Sequence, residues 1–200
     1  MNTGFPAFHE GDFAPDLSHI GRADYILMAH AHYVHLLDAP YIARTRKAIL
    51  VGNESVARIA RAYGLADEQI ITIRGGEDLD FGSFSVRVIP SLHTESHGVR
   101  AFSAVADPTG AKGPLPFSEF VDGGTVGFLI RVSGVQILAF GSMNYIEREI
   151  SGLRPNVVLV PSAPQRREVY DYTMPVTARA RLTSRRHRHT LGLLATSVWS

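Results

Sequence analysis

The sequence predicts an α/β fold in which short buried strands alternate with helices and the functional residues collect along one sheet edge. Three observations carry this. Apolar runs of strand length recur at 24–29, 48–51 and 157–160, with an alternating strand at 83–90; helical spacing of apolar residues fills the gaps between the first of them; and histidines or small polar residues repeatedly follow a strand's carboxyl end. With 200 residues and 45% hydrophobic content the chain falls in the size range of one domain with a sizeable core.

In order along the chain, residues 1–18 carry Gly4, Pro6, Gly11 and Pro15 with little periodicity and read as an irregular lead-in. Asp24 to Ala29 suits a strand buried on both faces. Leu36 to Arg46 has helical composition, softly broken by Pro40. Ala48 to Val51 is a second apolar strand. Asn53 then reads as the N-cap of a helix whose apolar positions Val56, Ile59, Ala60 and Tyr63 follow the i, i+3, i+4, i+7 pattern, with Gly64 as its stop. Gln69 to Arg74 and Ser83 to Pro90 are further strands, the second alternating Phe84, Val86 and Val88 against Ser85 and Arg87. His97 to Asp122 is loop-like, a length that marks a lid, a binding loop or a disordered segment. Thr125 to Arg131 and Val135 to Phe140 form a β-hairpin across Val132-Ser133-Gly134, and Val157 to Val160 is one more buried strand.

Composition removes several classes of function. There is no cysteine, so disulfides, thiolate metal sites and cysteine nucleophiles are excluded together. The net charge is +1 with both signs mixed through most of the chain, unlike the basic face of a nucleic-acid binder. No stretch reaches the roughly 20 apolar residues of a membrane span, and Met1 to Gly11 lacks a basic start followed by an apolar core. The chain as given is expected to be cytoplasmic, unless an export segment precedes it, and to act on a small molecule.

The densest chemistry is His30-Ala31-His32-Tyr33-Val34-His35, directly behind the apolar run Tyr25 to Ala29. Neutral imidazole is the commonest metal-binding side chain, and alternating histidines at a strand end aim at one face. His93 follows the strand 83–90, and Gly141-Ser142-Met143-Asn144 follows the hairpin. His97 reads as a loop residue, and His9 and His19 have no supporting pattern.

The stretch 178–200 differs in kind, with five arginines, two histidines and no acid. Residues 1–177 are therefore taken as the domain and 178–200 as a discordant basic tail, frame-shifted or disordered. Codons for Arg186 to Leu193 can be chosen that, read one nucleotide later, give Val-Ile-Val-Thr-His-Trp-Asp, an apolar strand ending in a histidine.

With these residues in place the chain resembles the metallo-β-lactamase-fold hydrolases, and within them the lactonase and phosphodiesterase-like branch, from about Asp16 to about Tyr172. The signature H-x-H-x-D-H of that superfamily matches at His30, His32 and His35 and departs at Val34. The resemblance implies an αββα sandwich, incomplete at both ends because only 29 residues precede His30 and the C-terminal histidine is absent unless His187 or His189 substitutes. It implies a first metal on His30, His32 and His93, a second-site ligand at His35, and a bridging aspartate near Gly141-Ser142, where this chain has serine. Ser142 and Asn144 are the candidates at that turn.

Three histidines with one open position suffice for a single zinc centre, while a two-metal centre would lack its oxygen ligands. Zinc, one ion rather than two, is the expected cofactor, other divalent metals being compatible with the same ligands. The expected function is metal-dependent hydrolysis of an ester, lactone or phosphodiester through an activated water, impaired by Val34, since valine neither binds metal nor accepts a proton. Two readings compete: a degenerate relative that at most binds metal, and a small module for metal storage or sensing.

Overall fold

A computed structural model of the chain describes residues 20–93, 105–108, 110–112, 114–159 and 161. They fall into two compact units, one drawn from residues 1–74 and 95–125, the other from 75–94 and 126–200. The tail 178–200, and with it His187 and His189, lies outside the described residues, as do His9, His19 and His97.

The first unit is built on a parallel three-stranded sheet in the order β1 (Tyr25–Leu27), β2 (Ile49–Gly52), β3 (Ile70–Thr72). Tyr25 lies opposite Ile49, and Leu50 opposite Ile70. The central strand buries Leu50 and Val51 completely, as a continuous apolar run in a parallel sheet requires. β1 is shorter than the apolar run 24–29 and only half-buried, and among the described residues it stands at an edge of this sheet.

Two helices connect β1 to β2: α1 (Tyr33–Leu36) and α2 (Ala39–Arg46). The break expected at Pro40 falls earlier, at Leu37 and Asp38. Pro40 itself sits in the first turn of α2, where a missing N–H costs no hydrogen bond. α3 (Glu54–Ala62) connects β2 to β3. Its cap is the one expected, the Val56 N–H donating to Asn53 Oδ1 at 3.0 Å, and Val56, Ile59 and Ala60 are all buried. Gly64 follows it at φ +79°. Leu36, Leu50, Val56 and Ile59 form the core of the unit, joined by Ala106, Leu115 and Phe120 from the long loop. That loop is therefore partly a cover over the core. It is tied down by the Ala106 N–H to Ser55 Oγ at 2.9 Å and the Leu115 N–H to Tyr63 Oη at 3.0 Å.

The second unit is a five-stranded sheet in chain order: β4 (Asp78–Asp80), β5 (Phe84–Pro90), β6 (Val126–Val132), β7 (Val135–Phe140) and β8 (Val157–Leu159). All pairs are antiparallel except β7 with β8. The expected alternation holds in β5, where Val86 and Val88 are buried and Arg87 is exposed. The hairpin turn is Ser133-Gly134, with φ of 49° and 78°, the two positive values a type I′ turn needs. β4 and α4 (Glu147–Ile150) are too short to carry a period and were not foreseen. Ile89, Leu129, Leu138, Phe140 and Ile150 form this unit's core. Among the described residues no helix is long and apolar enough to cross a membrane.

Candidate metal centre

The histidine hexapeptide straddles two local structures. β1 ends at Leu27, so His30 lies in the connection after the strand, while His32 is the N-cap of α1 with φ −61° and ψ 143°. Strand alternation therefore does not orient the pair. A tight strand-to-helix turn does it instead. His30 is completely buried and His32 half-buried. Their rings stand nearly perpendicular, centroids 4.9 Å apart, with a nitrogen of each within 4.8 Å of the other. Two imidazoles bound to one zinc at about 2.0–2.1 Å in tetrahedral geometry place their centroids about 5 Å apart. The pair thus fits a shared ion in spacing and in chemistry, nitrogen donors being what zinc takes when no thiolate is available.

His35 lies in the last turn of α1, exposed, with its ring centroid 4.4 Å from that of His30. The first unit therefore brings His30, His32 and His35 together. Val34 is 63% exposed in the first turn of α1, so the position where the signature has its acid faces water with an isopropyl group.

In the second unit His93 follows β5 by three residues and is half-buried. The turn after β7 reaches this stretch. Asn144 Nδ2 donates to the His93 carbonyl at 3.3 Å, and Ser91 Oγ donates to the Asn144 carbonyl at 3.1 Å. Asn144 Oδ1 also accepts the Tyr145 N–H at 2.8 Å, which fixes the amide. Asn144 is thus a clamp on the backbone that presents His93. Ser142 is buried in the same turn.

One group near the hexapeptide has a shifted proton affinity. Burial raises the Asp38 carboxyl above the ordinary carboxylate range, at a position preceding α2 where its side chain makes no capping hydrogen bond.

Sequence reasoning missed what holds the histidine connection. The Ala31 N–H, between His30 and His32, donates to the Asp122 carbonyl at 3.1 Å. That same carbonyl accepts Asn53 Nδ2 at 2.8 Å, and Asn53 Nδ2 also reaches the Gly124 carbonyl at 2.6 Å. Thr125 Oγ1 donates to Asp122 Oδ1 at 2.8 Å. Gly123, at φ +72°, has no room for a side chain: a Cβ there would collide with Ser55 and Asn53. The Gly123-Gly124 pair was the available signal for this close approach, and Asn53 was legible only as a cap.

No family model matches the chain. It is 30% identical over 102 residues to a UPF0173 metal-dependent hydrolase of Christiangramia forsetii, a match covering 51% of this chain and 39% of the relative. It is 27% identical over 143 residues to a UPF0173 metal-dependent hydrolase of Archaeoglobus fulgidus, covering 70% of this chain and 54% of that one. The chain thus spans about half the length of these curated relatives or less. Among solved structures, a metallo hydrolase of Ignicoccus hospitalis superposes with a TM-score of 0.52 at 18% identity, covering 80% of this chain and 60% of that protein. The fold is the metallo-β-lactamase fold. In this metallo-β-lactamase fold the expected α/β class holds, with two sheets and few helices.

Proposed function

We propose that the chain is a metal-dependent hydrolase that cleaves an ester, lactone or phosphodiester in a small molecule, with one zinc ion held by His30, His32 and His93. The observation that carries this reading is the buried His30 ring set against His32 at the spacing of two ligands on one ion. Similarity to the UPF0173 metal-dependent hydrolases supports the reaction class. For His93 the support is its place just past β5 on backbone clamped by Asn144. A bound ion would supply Lewis acidity, drawing the pKa of a water toward neutrality and polarising the scissile carbonyl or phosphoryl oxygen.

The chain's own residues divide the remaining work. His30, enclosed by protein, holds its ring away from bulk water, while His32 is half-buried. His35 is the reserve ligand for a second ion. Ser142 and Asn144 shape the turn at the bridging-ligand position, and Asn144 holds the His93 backbone.

The test is metal analysis of the full chain, followed by zinc titration and turnover on esters, lactones and phosphodiesters. One equivalent of zinc, hydrolysis that depends on it, and loss of both in His32→Ala and His93→Ala are expected. A well-folded chain that takes up no divalent metal ends the proposal.

A second reading has its own observation, the 63% exposure of Val34 where an acid would stand. With no carboxylate there to accept a proton, the chain would bind zinc without turnover. Stoichiometric zinc with no hydrolysis of any substrate class selects this reading.

A further inference from the structure

We propose that Asn53 is a positioning residue for the metal centre, acting through the Asp122 carbonyl and the Ala31 amide to fix the angle between His30 and His32; this rests on the metal reading above. The chain of contacts has no slack in it. Asn53 Oδ1 is fixed by the Val56 N–H at 3.0 Å, which settles the orientation of the amide and directs Nδ2 at the Asp122 and Gly124 carbonyls, 2.8 and 2.6 Å away. Asp122 is further held from its side chain by Thr125, so its carbonyl is a fixed point. On that point hangs the Ala31 N–H, which belongs to one of the two peptides linking His30 to His32, so a rotation there would swing the two histidines relative to each other.

Asn53, Asp122 and Ser55 are all buried, so water does not substitute freely for a lost partner. The backbone of Gly123 fits against Ser55 and Asn53 only because it carries no Cβ. A helix cap needs only the oxygen of Asn53. The nitrogen faces the other way and serves the histidine connection, and this separates the positioning role from a capping role. Outer partners that orient ligands typically cost 10–100-fold in metal affinity when removed.

The test compares Asn53→Asp, which keeps an oxygen for the cap and removes the donor, with Ser55→Ala, which removes the bond to the Ala106 N–H and leaves Asn53 intact. Zinc affinity and the visible spectrum of the cobalt(II)-loaded full chain are measured well below the melting temperature of each variant. We expect zinc binding at least tenfold weaker in Asn53→Asp, with an altered cobalt spectrum, and wild-type values in Ser55→Ala. Asn53→Ser also keeps a cap and loses the donor without adding charge, and it stands in should the aspartate variant not fold. The proposal is overturned if donor-free variants bind with wild-type affinity and spectrum, or if Ser55→Ala weakens binding equally at equal loss of stability. If the wild-type chain itself binds neither zinc nor cobalt, the metal reading fails first and the positioning role falls with it.

Discussion

Val34→Asp restores the one signature residue that is missing, and its two consequences separate cleanly. Val34 is 63% exposed, so little more than a third of its surface is out of water. Of the ~1.5–3 kcal/mol that full burial of a valine contributes, roughly 0.5–1 kcal/mol is therefore at risk. Against this, a carboxylate in the first turn of a helix gains about 0.3–1 kcal/mol, and α1 has no acid in that turn. Valine and aspartate have similar helix propensities. The terms nearly cancel, so the variant should unfold in urea within about 1 kcal/mol of wild type. The kinetic consequence is much larger: a positioned proton acceptor contributes roughly 10²–10⁴ in rate. The assay is kcat and KM on esters, lactones and phosphodiesters at saturating zinc, with Val34→Asn as the variant of the same shape that cannot accept a proton. A rise in kcat for the aspartate variant alone is expected. Unchanged turnover in a folded, zinc-loaded Val34→Asp protein would refute the idea that this position limits catalysis.

Four further outcomes follow from the same geometry. Ile59→Ala, emptying a completely buried position on α3, should cost about 2–5 kcal/mol in urea unfolding. Lys47 ends α2 in the left-handed region at φ 57°, so Lys47→Gly should raise stability by roughly 0.5–1 kcal/mol, read as a higher urea midpoint. Asp38 is raised by burial: its penalty is absent below the ordinary carboxylate value of 3.8, grows as the pH climbs through the raised folded value and is fully present at neutrality, so Asp38→Asn should gain stability over wild type at pH 7 and none at pH 3. Removing metal with a chelator should lower the melting temperature, and zinc at about a hundred times its dissociation constant should restore about 2.7 kcal/mol; a melting curve indifferent to both would count against the centre.

The elements that could be read from the sequence are those whose burial leaves a period. α3 was legible to the residue at its cap because Asn53 competes for a backbone N–H that the apolar face of Val56, Ile59 and Ala60 then buries. β5 was legible because Val86 and Val88 alternate with Arg87, and the β6–β7 hairpin because Ser133-Gly134 must take positive φ. β1 was overestimated, since an apolar run does not reveal whether its strand lies at the centre or the edge of a sheet. The helical stretch read from Leu36 to Arg46 put its break at Pro40 and left α1 unforeseen; α2 instead begins at Ala39, because within a first turn a proline is a starter.

The site divides along a different line. The proposed donor atoms are legible, because metal chemistry restricts them to a few residue types and the histidines at 30, 32, 35 and 93 are of that kind. The framework that aims them is nearly silent, because much of it is backbone. The Asp122 group that holds Ala31 is a main-chain oxygen, which any residue would provide, and the Asn144 group that holds Ser91 is another. Only where such a contact demands a particular side chain does the sequence keep a trace: an amide at Asn53 that must both accept and donate, and a glycine at 123 where a methyl group would not fit. Those residues hold the backbone beside the histidine connection, and on the proposed positioning role a chain that retained the four imidazoles and lost Asn53 or Gly123 would still match the histidine spacing while binding the proposed ion poorly.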